Sequence, residues 1–475
     1  MSSSSSSPPN ASTPALEQSS NEMRNPAIGG KRSWMVVIAA LLVSLALYAY
    51  LPFEVPARKG LALLFFVAVL WLTEAVHVTI TALIVPVAAV AIGIPELNTA
   101  KALSTFADPI IFLFFGGFAL ATALHVQKLD RKIAFWIMSL TGSHLGMASV
   151  MLFVVTAALS MWISNTATAA MLLPLAIGII GHMDGKEERN TMAFVLLGIA
   201  YSASIGGLGT LVGSPPNAIA AKALKMDFAG WLKVGLPMML VLMPLMVLTL
   251  WLVFRPQLNR RIELPKEDIP WTRDRILTIL VFGITALAWV FGKQVKDLLG
   301  VSSPDTWVAV TAAIVVCMLG LASWKQVANN TDWGVLFLFG GGITLSNVMR
   351  GSGASAVLGD AVAGFLANAS PFMVIAGVAA FIVLLTEFTS NTASAALLVP
   401  VFSAIAERMG MPPHILVLII GIGASCAFML PVATPPNAIV YGTGKIVQRD
   451  MLKAGAVLNA VSIVLLAVWA FVFWR

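Results

Sequence analysis

The sequence predicts an all-α polytopic membrane protein: about 11 transmembrane helices and two re-entrant hairpins, arranged as inverted five-span repeats. Three observations predict it. The 475 residues are 59% hydrophobic and 11% charged, where soluble domains carry roughly a quarter of charged residues, and mean hydropathy is +0.90. Apolar runs of 16 to 26 residues recur along the whole chain, each near the length that a bilayer crossing requires. They are continuous rather than alternating with period two, so bundled helices follow and a barrel does not. Third, two apolar stretches carry nearly the same polar cluster at their centres: "MWISNTATAAMLLP" at 161 to 174 and "FTSNTASAALLVP" at 388 to 400.

Residues 1–33 are rich in Ser, Pro and Asn without apolar periodicity and read as a disordered cytoplasmic tail. The run 34–53 is too long for a signal-peptide core and reads as a first retained span, with Lys31 and Arg32 placing the N-terminus in the cytoplasm. Further spans fall near 60–75, 78–95, 108–140, 190–224, 229–254, 274–293, 305–322, 334–365, 412–445 and 452–474. The segments 147–182 and 371–408 differ. Each consists of two short apolar halves meeting at a Ser-Asn-Thr cluster, which fits a hairpin that enters and leaves on one side with its polar tip at depth.

The net charge of +7 sits in short connections between apolar runs, among them the linker 255–273, so it reads as positive-inside topology and excludes a nucleic-acid partner. Cys317 and Cys426 lie inside apolar runs and read as packing residues. Trp34, Trp71, Trp231, Trp251 and Trp474 lie near span ends and read as interfacial anchors. Asp108 and Asp332 precede repeated Phe-Leu-Phe stretches and read as helix caps. Glu74 and Glu387 read as structural groups bonding helix ends, with proton sensing as the alternative. The five histidines, at 77, 125, 144, 182 and 414, show no ligand spacing. "GGLGTLVG" lacks the Gly-Lys-Ser/Thr of a phosphate loop.

Three landmarks recur in order. "FLFFGGFAL" at 112–120 matches "FLFGGGITL" at 337–345, the Ser-Asn-Thr clusters match, and "GSPPNAIA" at 213–220 matches "ATPPNAIV" at 433–440. The offsets are 225, 226 and 220, so 60–254 and 274–475 read as collinear halves. Five spans per half would turn the second half upside down, which brings two hairpin tips together near the midplane beside two Pro-broken helices. Broken helices expose carbonyls and N–H groups. The carbonyls and hydroxyls suit Na+, and the N–H ends with amide side chains suit an anion.

On these paired motifs, over about 60–475, the chain resembles the divalent anion/sodium symporter family, and specifically its bacterial Na+/dicarboxylate symporters. The resemblance implies a homodimer in the bacterial inner membrane, a fixed scaffold and a mobile elevator domain, a cytoplasmic N-terminus and an external C-terminus. It implies a first Na+ site at Ser160, Ser164, Asn165 and Gly213, and a second at Thr386, Ser390, Asn391 and Ala433. Substrate carboxylates would meet Asn165 and Thr166 on one side and Asn391 and Thr392 on the other. The expected function is Na+-driven uptake of succinate, malate or fumarate. The alternatives are a Na+-independent dicarboxylate exchanger and a symporter of citrate or sulfate. A channel is a further class, distinguished by counterflow. An enzyme is not expected, because Ser164 and Ser390 have no predicted His or Lys base at the midplane.

Overall fold

The structure, a computed structural model, describes residues 31–95, 97–139, 144–180, 186–262, 269–366 and 368–474. The expected tail falls outside the described residues except at its end, where Lys31 already opens the first helix. Among the described residues the chain is helical, with one isolated bridge between His144 and Arg261.

The first half runs α1 Lys31–Tyr50, α2 Val55–Thr73, α3 Val78–Ala91, α4 Thr99–Ser104, α5 Pro109–Val126, α6 Leu129–Ser139, α7 Leu145–Ser160, α8 Asn165–Ile180, α9 Lys186–Gly206, α10 Pro215–Ala223 and α11 Phe228–Phe254. The second runs α12 Arg273–Val290, α13 Gly292–Leu299, α14 Pro304–Met318, α15 Trp324–Asn330, α16 Trp333–Gly351, α17 Ala354–Phe365, α18 Pro371–Leu385, α19 Asn391–Arg408, α20 Pro413–Gly423, α21 Pro435–Tyr441 and α22 Gln448–Phe473.

Several stretches that hydropathy reads as one span are two helices. The stretch 108–140 divides at Lys128, whose φ of 55° ends α5, and 334–365 divides at Gly353, with φ of 76°. The helices α12 and α13 meet at 88°. Among the described residues five stretches are long and apolar enough to cross a membrane as they stand, or six with that bent pair. Several apolar helices are shorter, and three of them, α7, α8 and α18, are arms of the two expected hairpins, the fourth arm being the 18-residue α19.

The repeated Gly-Gly stretches serve close helix crossings. A Cβ on Gly116 of α5 would lie 2.4 Å from the Ala309 carbonyl oxygen of α14, and one on Gly341 of α16 would lie 2.6 Å from that of Ala82 in α3. Small residues let helix backbones approach this closely in an apolar bundle, where burial from lipid supplies no drive between helices. Each crossing joins one half to the other. Asp108 and Asp332 cap their helices as expected, accepting from Ile110 N at 3.1 Å and Val335 N at 3.1 Å.

The tryptophan expectation divides. Trp34 and Trp251 are exposed, but Trp71 and Trp231 are fully buried and Trp474 is 8% exposed. Trp71 donates its indole N–H to the Val78 carbonyl at 3.1 Å and Trp231 to the Leu208 carbonyl at 3.0 Å, so the first fastens the start of α3 and the second the unwound backbone after α9. A buried indole needs such an acceptor. Span-end position alone does not reveal it.

Candidate functional site

The helices α7 and α8, and likewise α18 and α19, are joined through a short polar tip, and the two tips repeat one hydrogen-bond pattern. At the first, the Ser160 hydroxyl at the end of α7 lies 2.6 Å from Asn165 Oδ1 and 2.7 Å from the Ala203 carbonyl of α9. At the second, the Thr386 hydroxyl lies 2.7 Å from Asn391 Oδ1 and 2.8 Å from the Ala424 carbonyl, just beyond α20. Ser164 and Ser390 cap the outgoing helices, accepting from Ala167 N at 3.3 Å and Ala393 N at 3.4 Å. The helices α8 and α19 therefore present their N-terminal N–H groups, with Thr166 and Thr392 in the first turn, where an anion is favoured. Ser164 and Thr166 are exposed, while Ser390, Asn391 and Thr392 are half-buried.

Beside each tip runs a broken helix. The first break, 207–214, separates α9 from α10, and the second, 424–434, separates α20 from α21. Asn217 donates through Nδ2 to the Gly207 carbonyl at 2.8 Å and the Thr210 carbonyl at 2.8 Å. Asn437 does the same to Ala427 at 3.2 Å and Leu430 at 3.0 Å. The repeated Pro-Pro-Asn thus starts a helix with its prolines and ties down the preceding unwound carbonyls with its amide. The breaks touch where Ser214 and Ser425 place their hydroxyls 3.2 Å apart.

The first tip gathers oxygen donors. A Cβ on Gly207 would lie 2.5 Å from Asn165 Oδ1 and 3.0 Å from the Gly213 carbonyl, and one on Gly213 would lie 3.0 Å from the Met161 carbonyl. Of the residues expected at the first Na+ site, Ser160, Asn165 and Gly213 are brought together, with Ser164 next to them as the cap. At the second, Thr386 and Asn391 are paired, Ser390 is the cap, and Ala433 is buried in the adjoining break. Hydroxyl, amide and carbonyl oxygens without a neighbouring cation suit a hard monovalent ion. The carbonyls of Ala203 and Ala424 and the close-packed Gly207 were not expected from the sequence. Backbone acceptors leave no residue-type signal, although Gly207 stands inside the quoted "GGLGTLVG".

The halves differ at two matched positions. Glu387 is buried, and its carboxylate accepts from Phe428 N at 2.7 Å, Met429 N at 2.9 Å, Leu430 N at 3.0 Å and Asn459 Nδ2 at 2.7 Å. It bonds broken-helix N–H groups, as expected of a structural acid. With the offset of 226, the first half has Met161 in its place. Glu74 is instead exposed at the left-handed C-cap of α2. Next along, Trp162 packs on Phe228, Trp289 and Phe282 with ring centroids 6.0, 6.4 and 5.0 Å away, whereas its counterpart Phe388 is 75% exposed.

Broken helices and paired polar tips within an apolar bundle define a polytopic membrane transporter. The chain belongs to the family of the sodium:sulfate symporter transmembrane region, whose profile matches residues 31–475. It is 55% identical over 451 residues to an uncharacterized transporter of Haemophilus influenzae, covering 93% of this chain and 97% of that one. It is 31% identical over 467 residues to the sodium-dependent dicarboxylate transporter SdcS of Staphylococcus aureus, covering 91% and 89%. The fold is similar to that of the Alcanivorax borkumensis YdaH transporter, described as having an unusual topology, with a TM-score of 0.52, 14% identity and coverage of 93% and 98%.

Proposed function

We propose that this protein couples inward Na+ flow to the uptake of C4 dicarboxylates such as succinate, malate and fumarate. The observation that carries the reading is the duplicated tip: one hydroxyl, one asparagine Oδ1 and one helix-end carbonyl, at Ser160, Asn165 and Ala203 and again at Thr386, Asn391 and Ala424. Two Na+ ions bind there, with Ser164 and Gly213 completing the first set and Ser390 and Ala433 the second. The substrate carboxylates meet Asn165 with Thr166 and Asn391 with Thr392. Neither tip sequence carries Lys or Arg, so the bound cations supply the positive charge that a dianion needs. The name of the SdcS relative supports the dicarboxylate and the sodium.

The remaining organisation belongs to the same reading. The halves 60–254 and 274–475 are inverted repeats, and eleven crossings result when broken pairs are joined. Hairpins 147–182 and 371–408 move with the breaks as an elevator against a scaffold in a homodimer, with the N-terminus cytoplasmic and the C-terminus external. The deciding experiment is uptake of labelled succinate into proteoliposomes of the purified protein with Na+, K+ or Li+ outside. Uptake with Na+ alone is expected. Equal uptake with K+ would reject the coupling, and Na+-dependent sulfate or citrate uptake without succinate uptake would move the assignment to those anions.

A further inference from the structure

We propose that Tyr201 couples the two cation sites, so that Na+ at one tip raises the affinity of the other. This rests on the site assignment above. Tyr201 is fully buried on α9, two residues before Ala203, the residue whose carbonyl faces the Ser160 hydroxyl at 2.7 Å. Its phenolic hydroxyl leaves the first half and donates to the Phe428 carbonyl in the second break at 2.7 Å. The N–H of the same residue, Phe428, donates to Glu387 Oε1 at 2.7 Å, and Glu387 follows Thr386, the hydroxyl of the second tip. One residue of the second break is thus held on its carbonyl side by the first half and on its N–H side by the second tip. The rings of Tyr201 and Phe428 also pack edge-on, 5.1 Å between centroids, which fixes the phenol's direction.

The chemistry at Ser160 gives this chain a reason to respond. Its hydroxyl has one proton and two acceptors, Asn165 Oδ1 and the Ala203 carbonyl. A cation that takes Asn165 Oδ1 removes the first acceptor and directs the proton to Ala203, tightening the end of α9 on the tip. Tyr201 lies on that same turn, and the phenol carries its position to the second break. The bridge has no counterpart. Ser160 and Thr386 bond carbonyls 221 positions apart, at Ala203 and Ala424, and the residue matching Tyr201 by that offset is Ile422, which has no hydroxyl. Coupling of two ligands through such a link is reciprocal, and usual coupling factors run from about 5-fold to 150-fold.

The test is a binding cycle on purified full-length protein in nanodiscs, read by radioactive Na+. Ser160→Ala weakens the first site so that the second fills first, and Tyr201→Phe removes one oxygen while keeping the ring on Phe428. With Tyr201 present, Ser160→Ala is expected to weaken Na+ at the second site by about 5-fold or more. In the Tyr201→Phe background that effect is expected to fall below about 2-fold and the Hill coefficient to drop toward one, a loss of cooperativity that the lower thermal midpoint from the unpaired Phe428 carbonyl does not by itself produce. Ser149→Ala removes a buried hydroxyl bonded to the Leu145 carbonyl of its own helix and is expected to leave cooperativity intact. Wild-type cooperativity in Tyr201→Phe overturns the coupling while the sites stand. So does a Ser160→Ala variant whose second site is as tight as in the wild type, a result that does not need Tyr201→Phe to fold. Unchanged Na+ binding in both Ser160→Ala and Thr386→Val overturns the site assignment and the coupling together.

Discussion

The Thr386 hydroxyl lies 2.7 Å from Asn391 Oδ1 and 2.8 Å from the Ala424 carbonyl, and it has a single proton to give. Whichever acceptor it leaves is free to turn a lone pair elsewhere. A cation between the hydroxyl oxygen and Asn391 Oδ1 resolves the competition, because the proton then goes to Ala424 and both oxygens face the ion. Thr386→Val keeps the shape and removes the ligand. It is expected to raise the Na+ concentration for half-maximal uptake by roughly 5-fold to 10-fold, the equivalent of about 1 kcal/mol. Ser160→Ala is expected to act in the same direction. A Na+ titration of succinate uptake at fixed substrate measures both, and an unchanged midpoint in each would remove these hydroxyls from the ion sites.

Glu387 makes a different prediction, one of stability. Its two oxygens face donors only: three backbone N–H groups and the Asn459 amide. Glu387→Gln turns an NH2 group toward some of those donors and leaves buried N–H groups unpaired, each costing about 1–3 kcal/mol. The variant is expected to lose thermal stability by several degrees or to fail to accumulate. Met161 shows that the other break is built without an acid. There Gly213 N takes the Thr210 hydroxyl at 3.1 Å, and Thr210 itself bonds the Met161 carbonyl. Thermal unfolding of Glu387→Gln beside Glu74→Gln checks the contrast, since Glu74 is exposed and its change is expected to be near neutral. Equal midpoints for the two variants would count against the anchoring role.

The helix ends at the two Ser-Asn-Thr clusters and the two breaks were legible because polar residues and prolines interrupt apolar runs twice, in matching order. Asp108 and Asp332 were legible for a local reason, since a cap needs only its own sequence neighbourhood. The divisions at Lys128 and Gly353 were hidden. Hydropathy continues across them, and a left-handed residue changes direction without changing composition. Trp71 and Trp231 misled for the opposite reason. Their position near span ends matched an interfacial anchor, while their burial is decided by helices distant in sequence. The link from Tyr201 to Phe428 spans 227 residues and ends on a carbonyl, so no residue pattern announces it.

An ion pair joins the helix that leaves the first break to the start of α5. Lys222, at the end of α10, lies 2.6 Å from Asp108, the cap of α5, in a cleft of about 860 Å³ that Asp227, Asp305, Arg350 and Glu407 also line. Asp305 accepts from Phe228 N at 2.7 Å across the same gap. With Lys222 42% exposed, the pair is worth about 0–1 kcal/mol, enough to bias a conformation and too little to lock it. If α10 moves against α5 during transport, Lys222→Gln is expected to change maximal uptake by up to about 5-fold and to leave Na+ affinity alone. Asp108→Asn retains the cap. The double variant is expected to match the single ones, because both remove one interaction. Additive effects on uptake would show that the residues act separately.

Charge movement supplies the last test. A dicarboxylate carries two negative charges, and the proposed tip sites hold two Na+ ions, so transport through these sites alone is electroneutral. Each elementary charge moved across the membrane is worth about 2.3 kcal/mol per 100 mV. Uptake therefore ignores voltage with two ions and accelerates with an inside-negative potential if a third accompanies them. The resemblance to Na+/dicarboxylate symporters implies a third ion, and the sequence has no third copy of the tip motif to hold it. Acceleration is the expected outcome in K+-loaded vesicles whose potential is set with valinomycin. Indifference to voltage would reduce the stoichiometry to the two tips, and net outward movement of positive charge with each substrate would reject Na+ symport itself.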